Sequence, residues 1–416
     1  MVHWNRIGMA ALVALVPVLG TATTGQGQPA DCPAPMYGLD PANTGQSRMV
    51  GAGGNAEIAW ERQVHGDSPY PRSLALSSTG LLYTPGDDLF ALRASDGQVV
   101  WCPGSGGRDS RAAIDAQGRL FAFEHGRLRA RRAGDGAWLW TGAPSAVSDG
   151  EPVKIAPDGT VYAPEIRGVI YAYHPGGTLK WQTTTYGVMQ YGEAGVIPAI
   201  DPAGNLYFAG GTSLISLNPS GTERWSVLHG GQGGSRVVYS PAGDVVWQHA
   251  GAVQVRDPAT GDLVRTIDPP GVLQAMDGEN NLYFTSSRWL AKVNYLGEEV
   301  WRYEHNYMDW PLVVDAVGKV YCATQEGDIL ALSSDGEKLW ELSVIDGATP
   351  LYSCAPIIGE DGSIYLLAQG KAVAIVPEPA TVCLLAGSAL ILLGGRRRRQ
   401  GADPPAPAVA VGTPGG

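Results

Sequence analysis

The stretch that decides the fold is PVKIAPDGTVYAPEIRGVIYAYHPGGTLKW, residues 152–181. Four short apolar segments (PVKIA, TVYAP, VIYAYH and TLKW) alternate with the connections PDG, EIRG and PGG, whose residues favour tight turns. Val161 and Ala163 alternate with Tyr162, which is the period of a strand and not of a helix. The stretch therefore predicts four antiparallel strands.

The same unit recurs about every forty residues, which is typical of a repeat architecture. Each copy contains a turn followed by an apolar residue and, in seven of the eight copies, an aromatic residue. The final positions of this landmark are Tyr83, Phe121, Tyr162, Tyr207, Val246, Tyr283, Tyr321 and Tyr365. Eight four-stranded units at this period predict an all-β fold, an eight-bladed β-propeller of antiparallel blades.

A second landmark is a glycine followed four residues later by tryptophan, as in DGQVVW and DGEKLW. The fifth unit departs from it, because TGDLVR places Arg265 where tryptophan stands elsewhere. A large flat indole at the end of each outer strand buries apolar area between blades. We therefore expect structural blade-docking roles for Trp60, Trp101, Trp140, Trp181, Trp225, Trp301 and Trp340.

The two ends of the repeat region complement each other. The eighth unit runs out after its third strand, whereas NAEIAW, residues 55–60, is a fourth strand without its unit. We predict that this N-terminal strand completes the last blade and closes the ring, which leaves no free sheet edge between the ends. The predicted propeller spans residues 31–376.

The repeat resembles the PQQ-like, quinoprotein-type propeller repeat over nearly the whole body of the chain. ALRASDGQVVW, residues 91–101, resembles the tryptophan docking motif of quinoprotein dehydrogenases, which oxidise alcohols or sugars with pyrroloquinoline quinone (PQQ) and calcium. PMYGLDPANTGQS, residues 35–47, resembles the segment that precedes their first strand. The resemblance implies a structural role for the tryptophans. Many such enzymes carry adjacent cysteines and a carboxylate, an amide and a catalytic aspartate at calcium, but this chain has no Cys-Cys pair and no matching ligand motif. We expect neither cofactor nor metal.

The first thirty residues are typical of a secretory signal. Arg6 precedes an apolar run over residues 7–19, and small residues follow, with cleavage after Ala22 or Ala30 fitting equally. The apolar run is shorter than the about 20 residues that a membrane-spanning helix needs. We therefore predict export, with residues 1–30 as signal peptide and linker.

The C-terminal region, residues 377–399, contains an apolar segment between a triplet and a basic cluster. The triplet is Pro377, Glu378 and Pro379, and the cluster is Arg396, Arg397, Arg398 and Arg399. Arginines hold the end of such a segment on the cytoplasmic side. The order resembles the PEP-CTERM sorting signal, which implies an exosortase-type membrane protease, a transient inner-membrane anchor and delivery to the cell surface or outside. A permanent single-pass anchor is the alternative. Residues 400–416 have a disordered composition.

Charge and cysteine content limit the function further. The formal net charge is −11, and removing residues 1–30 and 377–416 leaves −14. The strongly negative charge of residues 31–376 argues against nucleic acid as a partner, because nucleic acid is itself negatively charged. Four of the five cysteines lie in the body, where export permits disulfides. Of their three possible pairings we favour Cys32–Cys102 and Cys322–Cys354.

Ligand-binding candidates come from the connections between blades. Strand directions alternate outward, so the turns after second strands and the connections after fourth strands share one face, and variable loops on a rigid scaffold carry recognition. Aromatic and polar side chains in these connections suit a sugar or peptide, or else cap the blades. The candidates are Tyr70, Arg72, Glu151, Tyr186, Tyr191, Tyr303, Tyr307 and Trp310.

One strand of the second unit carries a run of alternating arginines. Arg127, Arg129 and Arg131 share a face, which is either an anion patch for an acidic polysaccharide or a solvated outer surface.

The sequence favours a non-catalytic role. It contains no HExxH or GxSxG motif. We expect a monomeric binding or scaffold protein of the cell surface, envelope or matrix, with an envelope protein or polysaccharide as ligand. The alternatives are a PQQ- and calcium-dependent alcohol or sugar dehydrogenase of reduced form, and a ligand-binding envelope sensor.

Overall fold

The computed structural model describes residues 30–65, 73–86, 88–104, 111–144, 152–165, 168–184, 197–210, 212–228, 236–249, 251–305, 311–324, 326–344 and 355–378. The chain divides into two compact units, Met1–Pro377 and Glu378–Gly416. All strands belong to the first unit. Within the described ranges, we find no helix long and apolar enough to cross a membrane. The predicted signal peptide and the apolar segment after Pro379 lie outside these ranges.

The strands form eight four-stranded antiparallel sheets, which confirms the predicted eight-bladed β-propeller. Blades are numbered in chain order from β2. The strands are β1 (Ala56–Gln63), β2 (Ala75–Leu76), β3 (Leu81–Thr84), β4 (Phe90–Arg93), β5 (Val99–Trp101), β6 (Ala113–Ile114), β7 (Arg119–Glu124), β8 (Arg127–Arg132), β9 (Trp138–Pro144), β10 (Lys154–Ile155), β11 (Val161–Pro164), β12 (Val169–Tyr173), β13 (Leu179–Thr184), β14 (Ala199–Ile200), β15 (Leu206–Gly210), β16 (Ser213–Leu217), β17 (Glu223–Leu228), β18 (Val237–Tyr239), β19 (Val245–His249), β20 (Ala252–Arg256), β21 (Leu263–Ile267), β22 (Val272–Met276), β23 (Leu282–Ser286), β24 (Trp289–Val293), β25 (Glu299–Glu304), β26 (Leu312–Val314), β27 (Val320–Ala323), β28 (Asp328–Leu332), β29 (Lys338–Ser343), β30 (Ile357–Ile358), β31 (Ile364–Ala368) and β32 (Lys371–Pro377).

The first landmark of each repeat marks the second strand of a blade. All eight landmark residues lie in such strands, from Tyr83 in β3 to Tyr365 in β31, and all eight are buried. The core is divided accordingly, because eight hydrophobic clusters each join two neighbouring blades. The propeller is therefore held together by its seams rather than by one central core.

The N-terminal strand closes the ring, as predicted. β1 pairs antiparallel with β32, with Ala56 opposite Pro377 and Gln63 opposite Lys371, so it is the outer strand of blade 8. It extends three residues past the expected segment 55–60. Blade 8 thus takes three strands from one end of the chain and one from the other.

The segment before β1, residues 30–52, lies against the inner strands and is called the strap here. Its backbone hydrogen-bonds to six of the eight blades, namely 1, 2 and 4 to 7, for example through the Ala34, Pro41 and Thr44 carbonyls to the Leu76, Ile200 and Met276 amides. Blade 3 reaches the strap through Lys154 instead. The strap meets the ends of the inner strands, where the turns to the second strands begin. It therefore covers one end of the ring, and the other end is called the open end.

Candidate functional site

The indoles of the second landmark lie in the seams. In five seams the indole N–H donates at 2.8–3.0 Å to a backbone carbonyl in the next blade, as from Trp101 to Ala133 and from Trp225 to Pro258. Trp60 does the same from blade 8 to Ala94 of blade 1. A glycine of the next blade packs against the face of each of these indoles. Gly261, for example, has φ +80°, and a Cβ there would lie only 2.7 Å from the Trp225 ring, which is too close for a side chain. These six seams thus use both residues, an indole and a glycine that leaves room for it.

The strap completes the seam between blades 7 and 8. The turn that would lie there is missing, because blade 8 is assembled from both ends of the chain. The Ala52 carbonyl takes its place and accepts from the Trp340 indole at 3.1 Å and from the Tyr321 hydroxyl at 3.0 Å. The strap is therefore part of the ring and not only a cover.

The seam between blades 5 and 6 is built differently. The Arg265 guanidinium lies over the Tyr295 ring, with Cζ 3.8 Å from the centroid, and the Tyr295 hydroxyl donates to Asp244 at 2.5 Å. Arg265 Nε and Nη2 are buried without a hydrogen-bond partner in the described part of the chain. A cation–π contact thus replaces the indole packing.

Two basic side chains, the buried Lys154 and the half-buried Arg236, fasten the strap. Lys154 is fully buried and donates to the carbonyls of Tyr37 and Asp40 at 2.8 and 2.7 Å and to Asn43 Oδ1 at 2.6 Å. Burial lowers the pKa of Lys154 to about 7, the Asp40 carboxylate opposes this shift, and the nearby Arg236 adds to it. Arg236 donates to the Asn43 carbonyl at 2.8 and 3.1 Å and to the Gln274 carbonyl. Lys154 therefore binds three oxygen atoms of the strap, whereas Arg236 joins the strap to blade 6.

The open end receives the connections that leave the fourth strands. Seven of these eight connections include residues outside the described ranges. Most of the sequence-predicted ligand residues also lie outside those ranges, namely Tyr70, Arg72, Glu151, Tyr186, Tyr191, Tyr307 and Trp310. Tyr303 is described. It lies in β25, is half-buried and stacks on His305 with ring centroids 6.4 Å apart. His305 Nε2 lies 3.1 Å from Glu341 of blade 7.

A carboxylate also lies near the open end. Glu165 directly follows β11, is buried, and its Oε1 has no hydrogen-bond partner within the described ranges. Its charge contributes to the raised pKa of Tyr171, whose main cause is burial. Tyr303, His305, Glu341 and Glu165 are thus described polar and aromatic groups that lie toward this end of the blades.

Two of the three arginines in the β8 run are more buried than a solvated outer surface would be. Glu124 is buried, and the Arg131 guanidinium holds both of its oxygens at 2.7 Å, while Arg129 reaches it at 3.1 Å. The side chains of Arg131 and Arg129 are only 10% and 18% exposed. The expected solvated face is therefore wrong for these two residues, because a buried carboxylate draws them into the seam with blade 1. Arg127 is exposed, as expected.

The described thiols are not joined by disulfides. The expected Cys32–Cys102 bond is absent: Cys32 lies in the strap beside the inner strand of blade 1, whereas Cys102 follows its outer strand. Three strand spacings of about 4.8 Å separate those positions, and a disulfide needs Cα atoms within about 7 Å. Burial raises the pKa of Cys32 and of Cys322 to about 12. Cys354, the expected partner of Cys322, lies outside the described residues.

The described residues do not fit calcium. No group of three or more His, Cys, Asp or Glu among them could hold a metal ion. Three of the buried carboxylates there have other partners: Asp201 and Asp277 accept from turn amides and from the hydroxyls of Tyr207 and Tyr283, and Glu124 binds two arginines. These aspartates stabilise the turns after inner strands.

Sequence reasoning missed Lys154, Arg236, Asn43 and Glu124. One signal was present, because Lys154 interrupts an otherwise apolar inner strand, and a charged residue there must find partners. No local pattern pointed to Asn43 or Arg236, whose contacts span more than 190 residues.

Known proteins resemble this chain in sequence and in fold. A family model described as outer membrane protein assembly factor BamB matches residues 212–380. No curated protein matches the sequence. Among solved structures, a europium-containing methanol dehydrogenase is 14% identical, with 82% of this chain and 89% of that chain covered and a TM-score of 0.62. BamB from Moraxella catarrhalis is 14% identical, with 77% and 100% covered and a TM-score of 0.60. A third, the computationally designed Ika8 protein, is 15% identical, with 77% and 98% covered and a TM-score of 0.60.

These similarities establish a PQQ-like β-propeller. An enzyme, an assembly factor and a designed protein share the architecture at 14–15% identity, so the fold itself assigns no activity.

Proposed function

We propose that this protein is an exported, non-catalytic propeller that binds an envelope protein or a polysaccharide at its open end and acts as a scaffold at the cell surface or in the matrix. One observation carries the proposal: the strap lies along one end of the ring and hydrogen-bonds to the blades there, whereas the fourth strands, which the long connections follow in sequence, finish at the other end. Variable connections on a rigid scaffold are suited to recognition.

The tryptophan landmark supports this proposal over a cofactor role. The indole N–H groups of all seven tryptophans donate to backbone carbonyls, and six of the indoles have a glycine of the next blade against them. The residues that resemble the quinoprotein docking motif are thus engaged in joining blades. The motif accordingly accounts for architecture without a quinone.

The proposed destination rests on the two ends of the chain. Residues 1–30 direct export, and residues 377–399 act as a PEP-CTERM signal that an exosortase-type membrane protease cuts near Pro377, Glu378 and Pro379. The family model described as an outer membrane assembly factor is consistent with an envelope location. Mass spectrometry of the secreted protein should find no peptide from residues 380–416; finding them would overturn the processing step.

Site-specific photo-crosslinking in the producing cells tests the binding end. A photoreactive residue replaces Ser287, in the exposed turn between β23 and β24 at the open end, or Leu296, in the turn before β25 at the strap end. Because both turns belong to blade 6, they form a matched pair. Gels stained for protein and for glycan should show adducts at position 287 and none at 296. Adducts at 296 alone, or at neither position, would contradict the proposal.

A PQQ-dependent dehydrogenase is the second candidate, favoured by the likeness to a methanol dehydrogenase over 82% of the chain. It requires the protein to bind PQQ and calcium. Cofactor binding separates the two candidates directly.

A further inference from the structure

The outer flank of blade 2 combines exposed aromatic surface with positive charge on an otherwise acidic protein. The Trp138 side chain is among the most exposed large apolar groups, at 55%. The Arg129 guanidinium lies over its ring, with Cζ 4.9 Å from the centroid. The equivalent position in other blades, two residues before the docking tryptophan, holds aliphatic residues such as Val99 and Leu179 or charged ones such as Glu223. An exposed indole is therefore a feature of blade 2 and not of the repeat.

The indole is held by a chain of contacts that begins inside the seam. Glu124 is buried and accepts from Arg131 Nε and Nη2 at 2.7 Å and from Arg129 Nη1 at 3.1 Å. Arg131 is further fixed by donating to the Gly136 carbonyl at 2.9 Å. A guanidinium anchored in this way orients the aromatic ring above it. The surface is thus pre-organised, which lowers the entropic cost of binding.

Among the described residues, one carboxylate faces the guanidiniums of this cluster. One carboxylate, Glu124, serves two guanidiniums, and the exposed Arg127 has no ion pair among the described residues. The two-residue turn His125–Gly126, with φ 51° and 67°, places Arg127 at the start of β8 on the same side as Arg129. Two buried polar atoms here, Arg129 Nε and Thr141 Oγ1, also lack a described hydrogen-bond partner. An anion with hydrogen-bonding groups would match the charge of Arg127 and the polar groups beside it.

We propose that this flank binds carboxylated sugars of an acidic polysaccharide, with the Trp138 indole against the pyranose face and Arg127 and Arg129 on the carboxylate. The C–H face of a pyranose is apolar and packs on an indole. A guanidinium binds a carboxylate through parallel charge-assisted hydrogen bonds. A neutral glycan would leave the positive charge unmatched, and an acidic peptide would not need the indole. Trp138 begins β9 at the strap end of the blade, whereas Arg127 follows a turn at the open end. The effect of Trp138→Ala therefore tests this inference separately from the proposed function.

Binding of alginate oligosaccharides to the full secreted protein, measured by calorimetry, tests the inference. Trp138→Ala and Arg127→Gln should each raise Kd about tenfold, equivalent to about 1.4 kcal/mol, and binding should weaken as salt is raised. Leu179→Ala is the matched control, because Leu179 is 43% exposed and lies two residues before Trp181, as Trp138 lies before Trp140. It should leave Kd unchanged. Unchanged melting temperatures exclude unfolding as the cause of any loss.

Three results would overturn the inference. The first is no alginate binding by the wild-type protein. The second is a Trp138→Ala variant that binds alginate as tightly as the wild type, which would place any glycan site elsewhere, including the open end. The third is that poly-glutamate binds as tightly as alginate and that Trp138→Ala does not weaken the binding of poly-glutamate. This result would mean that the flank attracts any polyanion by charge alone. Binding of neutral maltohexaose should be absent.

Discussion

Two neighbouring seams of the ring are built from different chemistry. Between blades 4 and 5, Trp225 is buried, donates to the Pro258 carbonyl at 3.0 Å and lies flat on Gly261. Between blades 5 and 6, Arg265 occupies the same strand position and lies over Tyr295. In blade 7 a serine, Ser334, stands two residues before the seam glycine, whereas blade 6 has Tyr295 there. At this seam the aromatic ring therefore comes from the turn of the following blade, and a guanidinium occupies the strand position that an indole has elsewhere.

The two seams share a large flat side chain between the blades but differ in which blade provides it. Each seam needs a large flat group between blades, and this group comes from the outer strand in seven seams and from the facing turn in one. The indole seams bury apolar area and satisfy their one donor, whereas the Arg265 seam leaves two buried nitrogens without a described partner. We therefore expect the Arg265 seam to be the weakest.

Deleting residues 31–60 should have the largest effect, because it breaks several seams at once. The deletion removes the strap, β1 with Trp60, and the Ala52 carbonyl that Trp340 uses. Thermal unfolding followed by circular dichroism should show that the melting temperature falls sharply or that the cooperative transition is lost. An unchanged melting curve would contradict the closure of the ring by the N-terminal region.

Truncating the central side chain of each neighbouring seam measures the comparison directly. Trp225→Ala should cost about 3–5 kcal/mol of unfolding free energy, as other buried large-to-small changes do. Arg265→Ala should cost about 1 kcal/mol or less, since the lost cation–π contact is offset by removal of two unpartnered nitrogens. Urea denaturation of both variants provides the numbers. Equal losses would mean that the two seams contribute equally.

Changing the pH probes the strap end that all the seams share. The folded pKa of Lys154, about 7, is below the about 10.4 of an unfolded lysine. Between these pH values the unfolded chain holds a proton that the folded protein has released, so stability rises with pH. Wild-type protein should gain up to about 1.4 kcal/mol per pH unit relative to Lys154→Met between about pH 7 and 10. Parallel pH profiles of the two proteins would contradict a lowered pKa.

Introducing tryptophan at position 265 should change the free energy of unfolding least. It tests whether the Arg265–Tyr295 contact replaces the indole of the other seams. Arg265→Trp alone should not stabilise the protein, because the Tyr295 ring already occupies the space that an indole takes elsewhere. Combined with Tyr295→Ser, which matches Ser334 in blade 7, the change should be more favourable than the sum of the single changes by about 1 kcal/mol. Additive effects in the double-mutant cycle would show that the two side chains are independent.

The periodic part of the molecule could be predicted from its sequence, and the long-range polar contacts could not. Eight copies of one landmark predict the blade number, and the incomplete eighth unit predicts the closing strand, because both arguments need only local spacing. The strap brings Asn43 into contact with Lys154 of blade 3 and with Arg236, which precedes blade 5. These residues are far apart in sequence, so no rule based on local spacing predicts the contacts. Glu124 likewise changed the interpretation of Arg129 and Arg131, since burial of its carboxylate depends on the neighbouring blade. The Cys32–Cys102 expectation failed on the distance across blade 1.

The account depends most on the claim that the tryptophan landmark builds seams and does not mark a quinone site. The most direct test is titration of the secreted protein with PQQ in the presence of calcium, followed by tryptophan fluorescence, with alcohol and sugar oxidation assayed in parallel. The account predicts no saturable quenching and no turnover. Saturable quenching at micromolar PQQ, together with dye reduction driven by an alcohol or a sugar, would contradict it and establish the dehydrogenase.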